Sequence, residues 1–127
     1  MSLRHQCERD GCYKERLPDW GILSGCFPRD IAPSDVDGIV EMNDHALLLE
    51  WKPKDGLLTR GQQFLFQNVT RGSPKIQALV IYGDRNAPSE MELFQFGRRR
   101  FRQRCDLEFL RWFCEQWAMF VERKKAA

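Results

Sequence analysis

A predicted β-hairpin in the first half of the chain constrains the fold more than any other feature. Residues 34–41 and residues 46–52 form two runs with strand character, and residues 42–45 between them, which include Asn43 and Asp44, favour a tight turn. Such a turn folds the chain back on itself, so residues distant in sequence become neighbours. The hairpin therefore decides which polar side chains can meet.

Three charged side chains are expected to meet at the open end of this hairpin. In a strand, side chains two residues apart share a face, so Glu50 and Lys52 point one way and Trp51 points the other way. Asp37, on the first strand, is expected to face Glu50 and Lys52. Two carboxylates and an ammonium that converge at a strand end can hold a divalent metal beside a phosphodiester.

The rest of the chain predicts an α/β fold. Glycine and proline interrupt residues 1–34, where we predict only a helical turn at residues 12–17 and a short strand at residues 20–23. Four further elements are predicted after the hairpin: a helix at residues 57–70, a buried strand at 75–82, an edge strand at 91–96, and a helix within 107–124. Thr59 and Asp106 are the predicted N-caps of the two helices.

These features together resemble the PD-(D/E)XK nuclease superfamily. The resemblance covers residues 30–82 and consists of an Asp-Gly-Ile-Val strand, a short turn, a strand that ends in Glu-x-Lys, and a helix with an early glutamine. More narrowly, small phage-type members of the superfamily are similar to this chain in three segments: Pro33–Asp37, Leu49–Lys52 and Gly61-Gln62.

The resemblance implies a restriction-endonuclease-like fold, in which helices flank a mixed sheet. It implies a single domain over residues 1–127 with its core at about residues 20–82, and residues 91–124 would add a strand and a helix. In that arrangement the short strand at residues 20–23 is the first strand of the core.

The implied activity is Mg²⁺-dependent endonucleolytic hydrolysis of phosphodiesters, with Mn²⁺ as a substitute metal. Asp37 and Glu50 would supply carboxylate ligands and Trp51 a backbone carbonyl, because Mg²⁺ prefers oxygen ligands and keeps several waters. Lys52 would position or deprotonate the attacking water and later offset charge on the phosphate. The alternative is that Glu50 and Lys52 form an ordinary surface ion pair.

Other polar residues near the motif have alternative roles. Either Gln62 or Gln63 would be the glutamine that some superfamily members place near the metal water or the phosphate. Asp35 is either a further ligand or partner at the site, or a turn residue after Pro33. Many members also draw an acid from a first helix, for which this chain offers Glu8, Glu15 and Asp19.

A run of arginines is the second candidate functional feature. Five of them fall within seven residues: Arg98, Arg99, Arg100, Arg102 and Arg104. Guanidinium groups bind phosphates in a bidentate manner, so the run would supply contacts to a nucleic-acid backbone. Phe101 would pack under the chain or stack on a base. The alternative is a solvated basic loop without a partner.

The cysteines do not predict a metal site or a disulfide framework. The spacing of His5, Cys7, Cys12 and Cys26 matches no paired-ligand pattern, which argues against zinc. Cys105 and Cys114 are expected to fill the core. Five cysteines cannot all pair within one chain, so we expect reduced thiols.

Composition limits the class of protein. The chain has 127 residues, of which 43% are hydrophobic and 30% charged, and its net charge is +2, as in a globular domain. No apolar run approaches the ~20 residues of a membrane span, and the first residues lack a signal core, which predicts a cytoplasmic location without membrane contact.

The predicted partner is DNA, although the sequence does not distinguish DNA from RNA, and two copies would be needed to cut both strands together. The rival interpretations are an inactive nuclease-fold module that binds nucleic acid or protein, and a zinc-stabilised interaction protein.

Overall fold

The computed structural model describes residues 19–126, with side chains to residue 124. The chain divides into two compact units, Met1–Asp35 and Val36–Ala127. The described part of the first unit contains two short 3-10 helices, at Trp20–Leu23 and Pro28–Asp30.

The predicted strand at residues 20–23 is therefore wrong, and so is its assignment as the first strand of the core. Asp19 explains the difference, because its carboxylate accepts a hydrogen bond from the Gly21 N–H at 2.9 Å and starts a 3-10 turn. An aspartate that bonds its own backbone in this way offers the chain a local alternative to strand pairing. The helical turn predicted at residues 12–17 lies outside the described residues.

The second unit contains a five-stranded sheet and two helices. Its elements are β1 (Gly38–Met42), β2 (His45–Lys52), α1 (Arg60–Gly72), β3 (Ile76–Asp84), β4 (Ala87–Gln95), β5 (Arg98–Arg104) and α2 (Leu107–Ala126). The strand order is β1-β2-β3-β4-β5, in which β2 and β3 are parallel and every other neighbouring pair is antiparallel. The α/β class and the mixed sheet with flanking helices are confirmed.

The β1–β2 hairpin has the predicted position and a two-residue turn. Asn43 and Asp44 have φ values of 51° and 69°, and two successive left-handed residues match the right-handed twist of the strands they connect. Gly38 pairs with Leu49 and Met42 pairs with His45, so the register is continuous along the hairpin.

The helices bury opposite faces of the sheet. Against α1 the core contains Leu58, Phe66, Ala78, Val80, Tyr82 and Phe94. Against α2 it contains Leu47, Leu79, Ile81, Met91, Leu93, Cys105, Trp117 and Val121. Both helices have the predicted caps, since the Thr59 side chain accepts from the Gln62 N–H and the Asp106 carboxylate accepts from the Phe109 N–H. Among the described residues, neither helix is long and apolar enough to cross a membrane.

The arginine run forms the edge strand β5, and the strand predicted as an edge is interior. β4 lies between β3 and β5, and a turn at Phe96 and Gly97, with φ values of 58° and 82°, connects it to the arginines. Backbone pairing does not depend on side-chain charge, and charged side chains on an edge strand oppose pairing with other chains. The solvated basic loop that the sequence suggested as an alternative is therefore not the local structure.

The described cysteines are free thiols. Cys105 is buried and Cys114 packs against the same apolar cluster, which confirms that both fill the core. Burial raises the pKa of both thiols. Cys26 is exposed, whereas His5, Cys7 and Cys12 lie outside the described residues, so the absence of a zinc site there stays a prediction.

Candidate active site

The hairpin brings the two predicted carboxylates together at its open end. Because Gly38 pairs with Leu49, the register continues to place Asp37 opposite Glu50 on the same face of the sheet. The Asp37 carboxylate also accepts a hydrogen bond from the Trp51 N–H at 2.8 Å. This bond fixes Asp37 where β2 ends, beside the Glu-x-Lys motif.

Glu50 is a buried acid with a strongly perturbed pKa. Only 5% of its surface is exposed. Burial, followed by the hydrogen bond and the negative charge of Asp37, raises the Glu50 pKa from its ordinary 4.5 to about 7, although the Lys52 ammonium acts in the opposite direction. The Glu50 carboxyl therefore keeps its proton to a higher pH than an ordinary glutamate does. A cation placed at this site would favour its ionised form.

Gln62 is the glutamine that contacts the site. Its Nε2 donates to the Glu50 carboxylate at 3.0 Å, and its Oε1 accepts from the Thr59 N–H at 3.1 Å. The Thr59 hydroxyl completes a capping box by accepting from the Gln62 N–H at 3.1 Å. Because the amide oxygen faces a backbone donor, the amide nitrogen must face Glu50. The start of α1 thus orients a hydrogen-bond donor toward the buried acid.

Lys52 and Trp51 have the predicted opposite orientations. Lys52 has the same strand parity as Glu50, and its charge reaches the Glu50 carboxylate. Trp51 packs with the cluster beneath α2, and its indole N–H donates to the Gly83 carbonyl at 3.0 Å. That bond ties the end of β2 to the end of β3. It therefore supports the backbone that carries both Glu50 and Lys52.

The donor set suits a hard cation. Asp37 and Glu50 supply carboxylate oxygens and Trp51 could add its carbonyl, so two or three oxygen ligands and several waters satisfy Mg²⁺ or Mn²⁺. Among residues 19–126, no group of three His, Cys, Asp or Glu side chains could hold a metal ion. Thiolate and imidazole ligands, which zinc prefers, are thus not gathered in the described part of the chain.

Two other acids of the described chain, Asp19 and Glu41, have local contacts away from Asp37 and Glu50. Asp19 caps the first 3-10 helix through its bond to the Gly21 N–H. Glu41 lies near the hairpin turn, at the other end of β1, and accepts from the Asp44 N–H at 3.0 Å. Asp35 belongs to the first compact unit, whereas Asp37 belongs to the second. Glu8 and Glu15 lie outside the described residues.

Two of the five arginines form ion pairs on the face of the sheet that carries α1. Arg99 donates to the buried Glu92 at 3.2 Å, and Arg102 donates through Nε to Glu90 at 2.9 Å, which raises the Arg102 pKa further. The Arg102 guanidinium also lies 4.5 Å from the centroid of the Tyr82 ring. No carboxylate of residues 19–126 pairs with Arg98, Arg100 or Arg104. The run therefore contains arginines in two different environments.

Glu90, Glu92 and Tyr82 are polar residues that our sequence analysis did not identify. The Tyr82 hydroxyl donates to Glu92 at 2.9 Å, and burial together with this bond raises the Tyr82 pKa to about 12. A signal for the two glutamates was present, because Glu90-x-Glu92 has strand spacing and pairs in register with Arg104 and Arg102. It could be used only once β4 was known to pair with the arginine run.

Comparison with protein-family models, with curated proteins and with solved structures gives no match for this chain. The geometry of the site therefore carries the functional argument.

Proposed function

We propose that this protein is a metal-dependent nuclease of PD-(D/E)XK type that hydrolyses phosphodiesters, most naturally in DNA. The observation that carries the proposal is the environment of Glu50. It is buried beside a second carboxylate, Asp37, with an amide donor from Gln62 and an ammonium from Lys52 on the same face. A buried acid with a strongly raised pKa next to a like charge is typical of functional sites.

The described side chains have distinct roles in this proposal. Asp37 and Glu50, with the Trp51 carbonyl, would hold Mg²⁺, and Glu50 would release its proton on binding. When bound, the cation supplies the Lewis acidity that activates water and offsets negative charge. Lys52 orients the attacking water and offsets charge on the phosphate. Gln62 keeps the Glu50 carboxylate in one orientation through the bond at 3.0 Å.

The test is cleavage of supercoiled plasmid, branched DNA and an RNA of matched length, with Mg²⁺, Mn²⁺ or EDTA present. We expect nicking that depends on the metal and a loss of at least about 100-fold in Asp37→Asn, Glu50→Gln and Lys52→Ala. Glu41→Gln is the matched control, because Glu41 lies on β1 but contacts only the hairpin turn in the described structure. Unchanged activity in Glu50→Gln would exclude the mechanism.

A binding module with this site but without turnover is the second candidate. It is favoured by the number of acids, since no third carboxylate joins Asp37 and Glu50 within the described residues. Such a module would cleave none of these substrates under any metal condition, although a gel-shift measurement would show that it binds them. Calorimetric titration with Mg²⁺ would then separate a degenerate site from one that binds metal but lacks a further catalytic group.

A further inference from the structure

We propose that the cleft between α1 and strands β3 to β5 holds one unpaired nucleotide of the substrate, so that the protein prefers single-stranded nucleic acid or a single-stranded flap. This inference rests on the proposed nuclease function and specifies its substrate class. The cleft has a volume of about 450 Å³, within the range of about 300–1,000 Å³ that is common for small-ligand sites. A base pair within a duplex could not present its face and edge to such a cleft.

The cleft lies on the same face of the sheet as the candidate active site. Glu50 pairs with Val80, Val80 with Glu92, and Glu92 with Arg102, so one row of neighbouring residues crosses four strands. Neighbouring strands lie about 4.8 Å apart, which places Arg102 roughly 14 Å from Glu50 along the row. Because α1 covers Val80, which is fully buried, a single nucleic-acid strand that contacts both places would run past the edge of α1 and not over the row itself.

The walls of the cleft match the chemistry of a nucleotide. Leu57, which is 74% exposed, supplies apolar surface for a base, whereas Phe94 lines the cleft but is almost fully buried. Gln63 and Gln67, one turn apart on α1, supply amide donors and acceptors for the edge of that base. The outer face of the Arg102 guanidinium, whose inner face covers the Tyr82 ring, offers a flat surface for stacking.

The two arginines at the cleft are held in position with donors to spare. Glu90 bonds only the Nε of Arg102, and Glu92 bonds Nη1 of Arg99. Among the described residues no other partner takes the remaining guanidinium N–H groups of these two side chains. A phosphate can accept from these groups without breaking either ion pair. Glu92, which is only 4% exposed, fixes Arg99 in position. An arginine that only protects a sheet edge does not need such a buried partner.

The other arginines provide an internal comparison. Arg98 and Arg100 do not line the cleft, and the Arg100 guanidinium lies 5.9 Å from the centroid of the Phe96 ring instead. A different and larger cavity, of about 580 Å³, lies near the hairpin turn and is lined by His45, Lys75 and Phe120. It contains neither Asp37 nor Glu50, and no described contact indicates its ligand.

Fluorescence anisotropy in EDTA tests the proposal without requiring catalysis. The probes are a fluorescein-labelled 12-nucleotide DNA of mixed sequence and the duplex formed with its complement. The full-length wild-type protein should bind the single strand at least about 10-fold more tightly than the duplex. The double variant Gln63→Ala with Gln67→Ala should weaken single-strand binding by about 5- to 20-fold, a loss comparable with that of one base contact, and should leave duplex binding unchanged.

Alanine is a better helix former than glutamine at helix surfaces, so this double variant is expected to fold, and circular dichroism checks it. The double variant Arg98→Gln with Arg100→Gln is the matched control, because it removes two charges outside the cleft. Its effect on the single-strand preference should be less than 2-fold. Equal affinity for both probes, or an unchanged preference in the glutamine variant, would overturn the proposal. Cleavage without strand preference refutes the subsite alone, whereas strand preference without cleavage refutes the nuclease function alone.

Discussion

Glu50→Gln should stabilise the metal-free protein at alkaline pH while abolishing its proposed activity. The folded protein holds the Glu50 pKa at about 7, against an ordinary 4.5. This difference corresponds to about 3 kcal/mol that disfavour the charged form in the folded state. Glutamine has nearly the same shape and keeps an oxygen that can accept the Gln62 N–H, but it carries no charge.

The sign of the pH dependence follows from proton binding. Between about pH 4.5 and pH 7 the folded protein holds a proton on Glu50 that the unfolded chain has lost, so the free energy of unfolding falls as the pH rises. Below pH 4.5 both states are protonated, and the contribution of Glu50 is fully present. We expect the stability advantage of Glu50→Gln to grow from near zero at pH 4.5 to about 1–3 kcal/mol at pH 8.

Urea denaturation in EDTA at pH 4.5, 6 and 8 measures this difference. An advantage of 1–3 kcal/mol would raise the melting temperature by several degrees in a protein of this size. Addition of Mg²⁺ at 100 times its Kd should then stabilise the wild type by about 2.7 kcal/mol and the variant much less. A wild-type stability curve parallel to that of Glu50→Gln over this pH range would refute the assigned environment of Glu50.

Three further outcomes are expected. Gln62→Ala removes half of the capping box and the donor to Glu50, so thermal unfolding should show a loss of about 1 kcal/mol and the cleavage rate should fall at least 10-fold. Gly83→Ala would place a Cβ in steric conflict with the Ala87 carbonyl oxygen, so chemical denaturation should show a loss of more than about 2 kcal/mol. Wild-type stability in this variant would contradict the β3–β4 geometry. Replacing Arg99 and Arg102 with glutamine should weaken nucleic-acid binding and reduce the slope of the log association constant against log salt concentration by about 2. An unchanged slope would mean that neither arginine contacts the phosphate backbone.

The site could be predicted where its geometry is local. The parity of a strand and the reach of a two-residue turn are sufficient to bring Asp37, Glu50 and Lys52 to one face, and the structure has this arrangement. The strand parity and the turn do not decide whether Gln62 or Gln63 contacts the site. That depends on which glutamine is the third residue of α1 after the Thr59 cap. The sequence predicted that cap correctly but also predicted a helix start at residue 57, three residues before Arg60, and the two predictions disagree about the third residue.

The strand β5 and the contacts of its arginines could not be predicted, because they depend on backbone pairing between β4 and β5. The arginine run has no apolar alternation that indicates a strand, and β5 exists because its backbone pairs with β4. Only that pairing places Glu92 beside Arg102 and gives Glu90 and Glu92 arginine partners. At residues 20–23 the apolar residues suggested a strand, but the adjacent Asp19 carboxylate started a 3-10 helix.

Glu50 and Glu92 show why the proposed metal belongs at one buried acid and not at the other. Both are almost fully buried on the same face of the sheet, one strand away from Val80 on either side. Glu92 receives the Tyr82 hydroxyl on one oxygen and the Arg99 guanidinium on the other, so the fold itself supplies its cation and its donors. Glu50 receives a neutral amide and lies against a second carboxylate, and the Lys52 charge is not enough to prevent its pKa from rising to about 7. A buried carboxylate whose negative charge the fold does not offset, such as Glu50, is stabilised more by a cation from solution than one that already has an arginine partner, such as Glu92.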